Sequence, residues 1–590
     1  MLILHYLGQK SYSSIYQQEV PILKVERLKT YFDVKPDKVK AVDGISFELA
    51  YGETLGIVGE SGSGKSVTML SIMQLVESPG IVLEGTAVYC DNVTNSSTDL
   101  LSLSEKEIAK YRGSKIGIVY QQAISAFNPI QTIGQQLKEA VLIHDKSRPQ
   151  LDLYLQDLLG KVRIEEPKRI LTAYPHQLSG GQLQRCMIAM AIANEPRILI
   201  ADEPTTGLDV ITQKGVLDLL KELRSELQMS MIFISHDLGV IAEMANQVLV
   251  MKEGVIIERG ETKHIFENPK QEYTQALLHC RPRITARSKR LPTYERLKNG
   301  ALLNDEIYRP ETNAELKKRQ DYISNQPELM TANGLSKTFF IKKGLLNKSI
   351  HEVKAVNDVS VVLRKGEVLG IVGESGSGKS TLAKLLLALE SPTAGTVVYG
   401  GEDILQLNGK ALKRIRKDLQ IIFQDVTGSL DPRMTAEASI GMALSIHFSE
   451  LTAVERKSRI KSIMISVGLS EGHLGRYPHE LSGGERQRVT IARAIAVEPS
   501  VLICDECVSA LDVSVQAQIL NLLLDLRDSL DLSIIFISHD LAVINFLCDR
   551  MLVMRDGRIV DKGIPTEILR STNNEYTIKL LQSLPGQRSI

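Results

Sequence analysis

The chain has 590 residues, of which 70 are basic and 70 acidic, so its formal net charge is +0. This balance gives no support to binding of a nucleic-acid backbone, and no nucleic-acid partner is expected. Six cysteines in a chain of this length do not make a disulfide framework, which predicts a reducing compartment. No apolar run of about 18 residues occurs, so no segment is predicted to span a bilayer.

The first predicted elements lead to a phosphate-binding loop. Residues 1–20 are polar and unpatterned and are predicted to form a flexible tail. Two short alternating runs, 22–28 and 41–49, predict strands of an antiparallel sheet. The apolar run 55–58 then enters a glycine-rich loop, and an apolar segment at helical spacing follows, which is the element order of a phosphate loop. The loop residues are Gly59, Glu60, Ser61, Gly62, Ser63, Gly64, Lys65 and Ser66.

This loop has the residue types that binding a nucleotide requires. Its glycines let backbone N–H groups approach phosphate oxygens, and the helix that follows adds its positive N-terminal end. Lys65 provides a charge for the β- and γ-phosphates, and the Ser66 hydroxyl is a suitable Mg²⁺ ligand. The same stretch occurs again at 369–381, with Gly373, Glu374, Ser375, Gly376, Ser377, Gly378, Lys379, Ser380 and Thr381.

Further along the first half, two apolar strands end in ionisable residues. The run 198–201 delivers Asp202 and Glu203, and the run 231–234 leads to His236. Ligands collect at the carboxyl ends of the strands in an open parallel sheet. Asp202 is therefore expected to hold Mg²⁺, Glu203 to orient or deprotonate the attacking water, and His236 to hydrogen-bond the γ-phosphate or the water.

The second half repeats these residues in the same order. Gln121, Ser179, Asp202, Glu203 and His236 recur 303 residues later as Gln424, Ser482, Asp505, Glu506 and His539. The two loop lysines are instead 314 residues apart. The first half therefore has 11 extra residues between its loop lysine and Gln121, and these are predicted to enlarge the loop at 91–104. Constant spacing through the chemical motifs indicates a tandem duplication.

Between the repeats the chain is charged and punctuated by proline. We predict a tail at 1–20, a first domain at 21–280, a linker at 281–328 and a second domain at 329–590. The linker is interpreted as a mostly solvated connector, with contact between its basic residues and lipid head groups as the alternative.

With each motif present twice, the chain resembles a twin ATP-binding cassette (ABC) protein. The resemblance covers nearly all of residues 21–586 and includes the phosphate loops, the Q-loop glutamines, the Leu-Ser-Gly-Gly signatures, the Asp-Glu strands, the D-loops and the switch histidines. Within that superfamily it is similar to the dipeptide, oligopeptide, nickel and glutathione importer ATPases. Tyr174-Pro-His-Gln, Tyr477-Pro-His-Glu and the segments beginning at Tyr273 and Tyr576 carry that closer similarity.

The resemblance implies an α/β fold of two tandem ABC-ATPase cassettes. Each would combine a P-loop NTPase core with an antiparallel β subdomain and a helical subdomain, near 132–175 and 435–478. Phe32 and Phe339 would stack on adenine, and Gln121 and Gln424 would act as catalytic residues and join the Mg²⁺ sites. The cassettes would face head to tail as an intramolecular dimer, in which each signature completes the opposite site, through Ser179, Gly180 and Gly181 in one case and Ser482, Gly483 and Gly484 in the other.

The resemblance also implies a function, with ATP and Mg²⁺ as cofactors. The chain would be the ATP-hydrolysing subunit of a binding-protein-dependent importer of peptides or glutathione-like solutes. Its partners would be two integral-membrane permease subunits and an extracytoplasmic solute-binding protein, which places it at the cytoplasmic face of the inner membrane as a peripheral protein. A soluble twin cassette acting on ribosomes or DNA, and an exporter ATPase, are the alternatives.

Three features bear on these alternatives and on the two sites. Ribosome-acting twin cassettes typically read Asn-His-Leu-Asp where this chain has Thr206-Gly-Leu-Asp and Ser509-Ala-Leu-Asp. The proline that usually follows the catalytic glutamate is present as Pro204 but replaced by Cys507 in the second half. Proline is also absent at Ala123 and Val426, after the Q-loops. None of these departures removes a catalytic group, so two competent sites are predicted.

Overall fold

A computed structural model describes residues 20–585 except 35–36, 93, 304, 344–348 and 510. Apart from residue 20, the tail predicted at 1–20 lies outside the described residues. The chain divides into two compact units. Unit 1 holds the residues up to Asp202 with Leu220–Ile234 and Met244–Arg259, and unit 2 holds Glu203–Leu219, Ser235–Glu243 and the residues from Gly260 onward. The predicted boundaries at residues 280 and 329 remain predictions.

The first half contains ten strands and eleven α-helices among its described residues. The strands are β1 Leu23–Val34, β2 Asp37–Leu49, β3 Thr54–Val58, β4 Gly80–Asp91, β5 Ser96–Asp99, β6 Ile116–Val119, β7 Ile198–Asp202, β8 Ser230–Ser235, β9 Gln247–Lys252 and β10 Val255–Glu261. The helices are α1 Lys65–Ile72, α2 Glu105–Ile108, α3 Ala123–Ala126, α4 Ile133–Leu142, α5 Leu151–Lys161, α6 Pro167–Thr172, α7 Gly180–Ile192, α8 Val210–Glu226, α9 Leu238–Met244, α10 Thr262–Glu267 and α11 Glu272–His279.

Two helices, α12 Tyr294–Lys298 and α13 Asn313–Ser324, precede the second half. Its strands are β11 Glu328–Lys343, β12 Ser349–Arg364, β13 Val368–Val372, β14 Ala394–Tyr399, β15 Glu402–Asp403, β16 Leu419–Ile422, β17 Val501–Asp505, β18 Ser533–Ser538, β19 Arg550–Arg555 and β20 Arg558–Gly563. Its helices are α14 Lys379–Leu386, α15 Gly409–Asp418, α16 Val426–Ser429, α17 Ala436–His447, α18 Ala453–Ser466, α19 Gly483–Ile495, α20 Val513–Leu530, α21 Leu541–Leu547, α22 Pro565–Ser571 and α23 Glu575–Gln582.

Each half builds two sheets, which confirms the predicted fold class. The four-stranded sheets have the orders β2-β1-β4-β5 and β12-β11-β14-β15, and neighbouring strands in both are antiparallel. The six-stranded sheets have the orders β10-β9-β3-β8-β7-β6 and β16-β17-β18-β13-β19-β20, with parallel pairing around the loop strands β3 and β13. Strands β3, β8, β13 and β18 are buried along their whole length, because helices cover both faces of a parallel sheet.

The helical insert of each half begins at a threonine that caps its first helix. Thr132 accepts a hydrogen bond from the backbone N–H of Gln135 at 3.3 Å, and Thr435 accepts one from that of Ala438 at 3.2 Å. Such caps satisfy N–H groups that the first turn of a helix leaves without an intrahelical partner. The inserts, α4–α6 and α17–α18, lie where the sequence predicted helical subdomains.

The extra residues of the first half are not all in the loop predicted at 91–104. Strand register makes Tyr89 equivalent to Tyr399, because these residues pair with Leu23 and Met330. Lys65 and Tyr89 are 24 residues apart, whereas Lys379 and Tyr399 are only 20 apart. Four of the extra residues therefore precede Tyr89, and the prediction was wrong for that part because sequence spacing alone does not reveal strand register.

The connector is not mostly solvated, and that interpretation was wrong. Leu291, Tyr308 and Ile323 are buried, with exposed fractions of 3%, 7% and 4%. Several of its basic side chains bind protein groups; for example, Arg319 donates to both carboxylate oxygens of Asp549 at 3.0 and 2.9 Å. Charge and proline content predict solvation only when no folded surface lies alongside, and this segment packs on the second half.

Candidate functional site

The second phosphate loop joins β13 to α14 and lies wholly in unit 2. Gly376 and Gly378 have φ values of 81° and 102°, a conformation that residues with a side chain rarely adopt. A Cβ on Gly378 would lie 2.1 Å from the Ala355 carbonyl oxygen, and one on Gly373 would lie 2.2 Å from that of Met554. The glycines are therefore required both by backbone conformation and by close packing.

The loop in unit 1 has the same construction. Gly64 has φ 99°, and a Cβ there would lie 2.1 Å from the Ala41 carbonyl oxygen. A Cβ on Gly59 would lie 2.3 Å from the Met251 carbonyl oxygen. The loop residues predicted from the sequence therefore form the same strand–loop–helix in each half.

Each loop lysine is buried and bound by its own loop. Lys379 is 4% exposed, and its Nζ donates to the carbonyl oxygens of Gly373 and Glu374 at 2.9 and 2.8 Å. Lys65 donates to the equivalent carbonyls of Gly59 and Glu60 at 2.7 and 2.8 Å. Burial lowers the pKa of Lys379, although neighbouring carboxylates oppose that effect. Both ammonium groups are held at the start of the loop helix.

A hydroxyl and a carboxylate meet beside each loop. Ser380 donates from Oγ to Asp505 Oδ1 at 3.0 Å, and Ser66 donates to Asp202 Oδ1 at the same distance. Burial raises the pKa of Asp505, and the Glu506 charge adds to that rise, whereas the Ser380 hydrogen bond opposes it. Hard oxygen donors this close together fit Mg²⁺, which binds proteins through a few oxygens and keeps several waters.

Glu506 is held by three side chains of the second half. Gln424 donates from Nε2 to Glu506 Oε2 at 2.7 Å, and His539 Nδ1 lies 3.6 Å from the same oxygen. Lys379 Nζ is 3.7 Å from the other carboxylate oxygen. Burial alone would raise the pKa of Glu506, but His539 and Lys379 outweigh it and hold the pKa below its ordinary value. This carboxylate is therefore ionised at neutral pH.

Glu203 and His236 form the corresponding pair of the first half, and both residues lie in unit 2. His236 Nδ1 is 3.1 Å from Glu203 Oε2, and the Thr206 hydroxyl donates to that oxygen at 2.9 Å. Burial would lower the pKa of His236, but Glu203, Asp237 and Asp512 raise it above its ordinary value. Glu203 and Glu506 both have φ 47°, a strained conformation for a residue with a side chain, and such strain clusters at functional sites.

The roles predicted for the remaining residues stay predictions, although the structure shows where these residues lie. Gln121 follows β6 and is exposed. Phe339 is 39% exposed, with Lys337 Nζ 5.1 Å from its ring centroid, and Phe32 is half-buried. The signature residues begin helices, where Ser179 and Ser482 cap α7 and α19 and the two glycines of each signature form the first turn. Their roles toward adenine and the opposite site remain proposals.

Sequence reasoning missed two residues of the second site. The hydroxyl of Tyr576, on α23, accepts a hydrogen bond from the backbone N–H of Glu374 at 3.1 Å. Asp209 lies close enough to Lys379 and Glu374 for its charge to raise the pKa of both groups. Tyr576 belonged to a segment used only for family resemblance, and Asp209 to a D-loop motif that was not assigned to a site.

The described residues contain no helix that meets the length and hydropathy needed to cross a membrane. No cluster of three or more His, Cys, Asp or Glu that could hold a metal ion occurs among them either. The site beside each phosphate loop has only one carboxylate with one hydroxyl, so it is too small to count as such a cluster.

Comparison with known proteins agrees with this construction. The family model "ABC transporter" matches residues 42–206 and 356–509, and the model "Oligopeptide/dipeptide transporter, C-terminal region" matches 257–303. The chain is 43% identical over 570 residues to a glutathione import ATP-binding protein of Escherichia coli O157:H7, covering 96% of this chain and 89% of the relative. The relative from Shigella dysenteriae serotype 1 is 42% identical with the same coverage.

Among solved structures, an ATP-binding cassette in a post-hydrolysis state with ADP and Pi is 27% identical, with a TM-score of 0.37. It covers 40% of this chain and 99% of that structure.

Fold and site together define a nucleotide-binding ATPase with two phosphate-loop cassettes. The chain belongs to the ABC transporter family, and it is a tandem member that also has an oligopeptide/dipeptide transporter C-terminal region between its cassettes. It is similar along almost its whole length to importer ATP-binding proteins.

Proposed function

We propose that this chain energises the import of glutathione or a similar short peptide by hydrolysing ATP at two Mg²⁺-dependent sites. The names of the relatives and the oligopeptide/dipeptide transporter region support this solute class. Two integral-membrane permease subunits, an extracytoplasmic solute-binding protein and a peripheral position at the cytoplasmic face of the cell membrane complete the proposal. The arrangement of Glu506, with its amide, imidazole and ammonium neighbours, carries the proposal for hydrolysis.

The chemistry divides among few residues. The phosphate-loop N–H groups and Lys379 bind the β- and γ-phosphates, which positions the terminal phosphorus for in-line attack. Mg²⁺, when bound, neutralises charge on the phosphate oxygens, and Ser380 and Asp505 are the residues that would hold it. Ionised Glu506 accepts a hydrogen bond from the attacking water, and Gln424 and His539 fix the direction of its carboxylate.

The first half has the same residue types. Lys65 and Ser66 act on the phosphates and the metal, and Glu203 with His236 acts on the water. The signatures are proposed to complete the opposite sites, so that hydrolysis requires the two cassettes to meet.

The test is Mg²⁺-dependent ATP hydrolysis by the purified chain, alone and with its permease in lipid. We expect slow turnover alone, faster turnover with the permease, and stimulation by a loaded binding protein. Lys65→Ala combined with Lys379→Ala should abolish turnover because phosphate positioning is lost. Substantial turnover in that double variant would refute the site assignment. Uptake of glutathione and of unrelated dipeptides by the reconstituted complex tests the solute class separately.

A further inference from the structure

An arginine binds the loop that follows the first switch histidine. Arg281 donates from Nη1 to Asp237 Oδ1 at 2.7 Å, and Asp237 is the residue next to His236. The same oxygen accepts from the backbone N–H of Gly239 at 2.7 Å, which caps α9. The side chains of Arg281 and Asp237 are 26% and 25% exposed, so the pair is largely shielded from water. The guanidinium therefore restrains the turn between His236 and α9.

A glycine makes room for this contact. A Cβ on Gly239 would lie 2.2 Å from Arg281 Nη1, so any other residue there would displace the guanidinium. At the spacing of 303, the second half has Ala542 in place of Gly239 and Leu584 in place of Arg281. Asp540 keeps the helix cap, accepting from the N–H of Ala542 at 2.8 Å. The first half thus has both the arginine and the space for it, and the second half has neither.

The backbone beyond Arg281 is fixed to the helix behind the second switch histidine. Asn545 lies in α21, which begins just after His539, and it is completely buried. Its Nδ2 donates to the carbonyl oxygens of Arg283 and Ile284 at 3.2 and 3.1 Å. The first half has Ala242 at the position equivalent to Asn545. Alanine has no side-chain amide to make these bonds, so the first half has no equivalent of this connection at Ala242.

One cavity of about 120 Å³ joins these parts within unit 2. Both switch histidines line it, together with Asp237, Asp540, Arg281 and Leu584. Arg281 and Leu584, which are equivalent by sequence spacing, both line it, and the first is bound to an aspartate whereas the second is apolar. Movement of either switch loop would change the shape of this shared space.

We propose that Arg281 is a positioning residue for the first ATP site, which holds the His236 loop and ties it to α21 behind His539. The inference rests on the proposed hydrolysis at both sites. Because Arg281 touches Asp237 rather than the Glu203–His236 pair, it acts through the loop and does not bind the reacting atoms. The first switch histidine is then preorganised by a contact that the second lacks, and the two sites are coupled unequally.

Single-site backgrounds test this proposal. Glu506→Gln leaves Glu203 as the active glutamate, and Glu203→Gln leaves Glu506. In the Glu506→Gln background, Arg281→Leu should lower kcat about fivefold while changing KM for ATP less than about twofold, since orientation is lost and phosphate binding is kept. In the Glu203→Gln background the same substitution should change kcat less than about 1.5-fold.

Matched variants separate the contact from general damage. Gly239→Ala should reproduce the effect of Arg281→Leu in the Glu506→Gln background, because its Cβ displaces the guanidinium. Ala542→Gly, the corresponding change in the second half, should have no effect in the Glu203→Gln background beyond about 1.5-fold in kcat. Arg281→Lys keeps a charge without the planar fork and should restore part of the lost rate. Thermal unfolding should place every variant within a few degrees of the parent.

Two results would overturn the inference without touching the proposed function. One is unchanged kcat for Arg281→Leu in the Glu506→Gln background, and the other is an equal loss in both backgrounds. The double variant Glu203→Gln with Glu506→Gln distinguishes these from a wrong site assignment. Full turnover in that double variant would remove the proposed ATP sites, and the inference with them.

Discussion

The two halves keep the same chemical groups in the same order but differ on helices that contribute none of those groups. In the first half, Lys214 on α8 pairs with Glu243 on α9 at 2.5 Å and with Asp218 at 3.0 Å. The second half has Ala517, Phe546 and Asn521 at these positions. An ion-paired patch in one half is therefore replaced by an apolar patch with one amide in the other.

The connector explains that replacement. Leu291 is 3% exposed and belongs to the core of the second half, and its backbone N–H and C=O both bond to the side chain of Asn521, at 3.0 and 2.8 Å. Phe546 lines a cavity with Leu291 and Tyr308. Charged side chains at these positions would have to lose their water beneath the connector, which costs free energy unless they are paired.

At a second pair of equivalent positions, the charged residue is in the second half and the neutral residue is in the first. Asn246 accepts from the Thr54 N–H at 2.9 Å, and its equivalent Asp549 accepts from the Val368 N–H at 2.9 Å. Asp549 is 3% exposed and also binds Arg319 of the connector, whereas Asn246 is exposed. The backbone contact needs only an acceptor, and the negative charge is required only where the connector brings arginines. Duplicated cassettes can therefore diverge on their flanks while the sites stay alike.

The largest effect on activity should come from the glutamates. Glu203→Gln and Glu506→Gln should each lower kcat at least ~10-fold, or about 1.4 kcal/mol of barrier, while ATP binding persists. The reason is that an amide cannot accept the proton of the attacking water. ATPase assays with bound-nucleotide measurements check this. Intact hydrolysis and transport in Glu506→Gln, with their loss in Glu203→Gln, would show that the second site is not catalytic.

Asp549→Asn should destabilise the second half by about 3 kcal/mol, because it leaves the connector arginines near an uncharged group in a buried setting. Asn246→Asp, at the exposed equivalent, should change stability by less than about 0.5 kcal/mol. Thermal and urea unfolding of both variants measure the difference. Equal effects of the two variants would contradict a role for the connector.

The pH dependence of that effect has a defined sign. Burial alone would raise the pKa of Asp549, but the hydrogen bond from Arg319 and the charges of Arg287 and Arg319 hold it below its ordinary value of 3.8. The stabilisation is therefore complete above pH 3.8 and is lost as the pH falls through the lowered pKa. The gap in Tm between the parent and Asp549→Asn should narrow at acid pH and stay constant near neutrality.

A smaller effect is expected at Asn521. Asn521→Ala leaves the N–H and C=O of Leu291 buried without their partner, which should cost about 1–3 kcal/mol. Asp218→Ala, at the equivalent position, removes only a partly exposed ion pair and should cost less than about 1 kcal/mol. Urea unfolding with the two variants side by side gives the comparison. A larger loss for Asp218→Ala would mean that the connector does not stabilise the second half through this amide.

The smallest effect should follow Cys507→Pro, which restores in the second half the residue type of Pro204. Cys507 is 3% exposed and replaces no catalytic group, so we expect kcat to change less than about twofold. ATPase assays in the Glu203→Gln background isolate the second site. A large loss there would identify Cys507 as a residue that shapes the second site.

The sequence by itself determined the features of the protein that depend on residues close together in the chain. A strand, a glycine loop and a helix in succession predict a phosphate loop, because backbone conformation and packing at Gly59, Gly64, Gly373 and Gly378 tolerate no side chain. Buried strands that end in Asp-Glu or Ser-His predict which side chains meet at the sheet edge. Motifs that recur 303 residues apart, from Gln121 to His236, made the duplication predictable, and the resemblance to ABC cassettes implied the fold class.

Only the tertiary structure decided the role of the connector. Arg281 and Asp237 are 44 residues apart, and Arg319 and Asp549 are 230 apart, so no local pattern connects them. A charged, proline-punctuated segment has the composition of a solvated linker, and that composition contains no sign of a folded surface beside it. Long-range electrostatic partners depend on where the chain returns in space, which is why the arginines were predicted to be solvated and are instead bound.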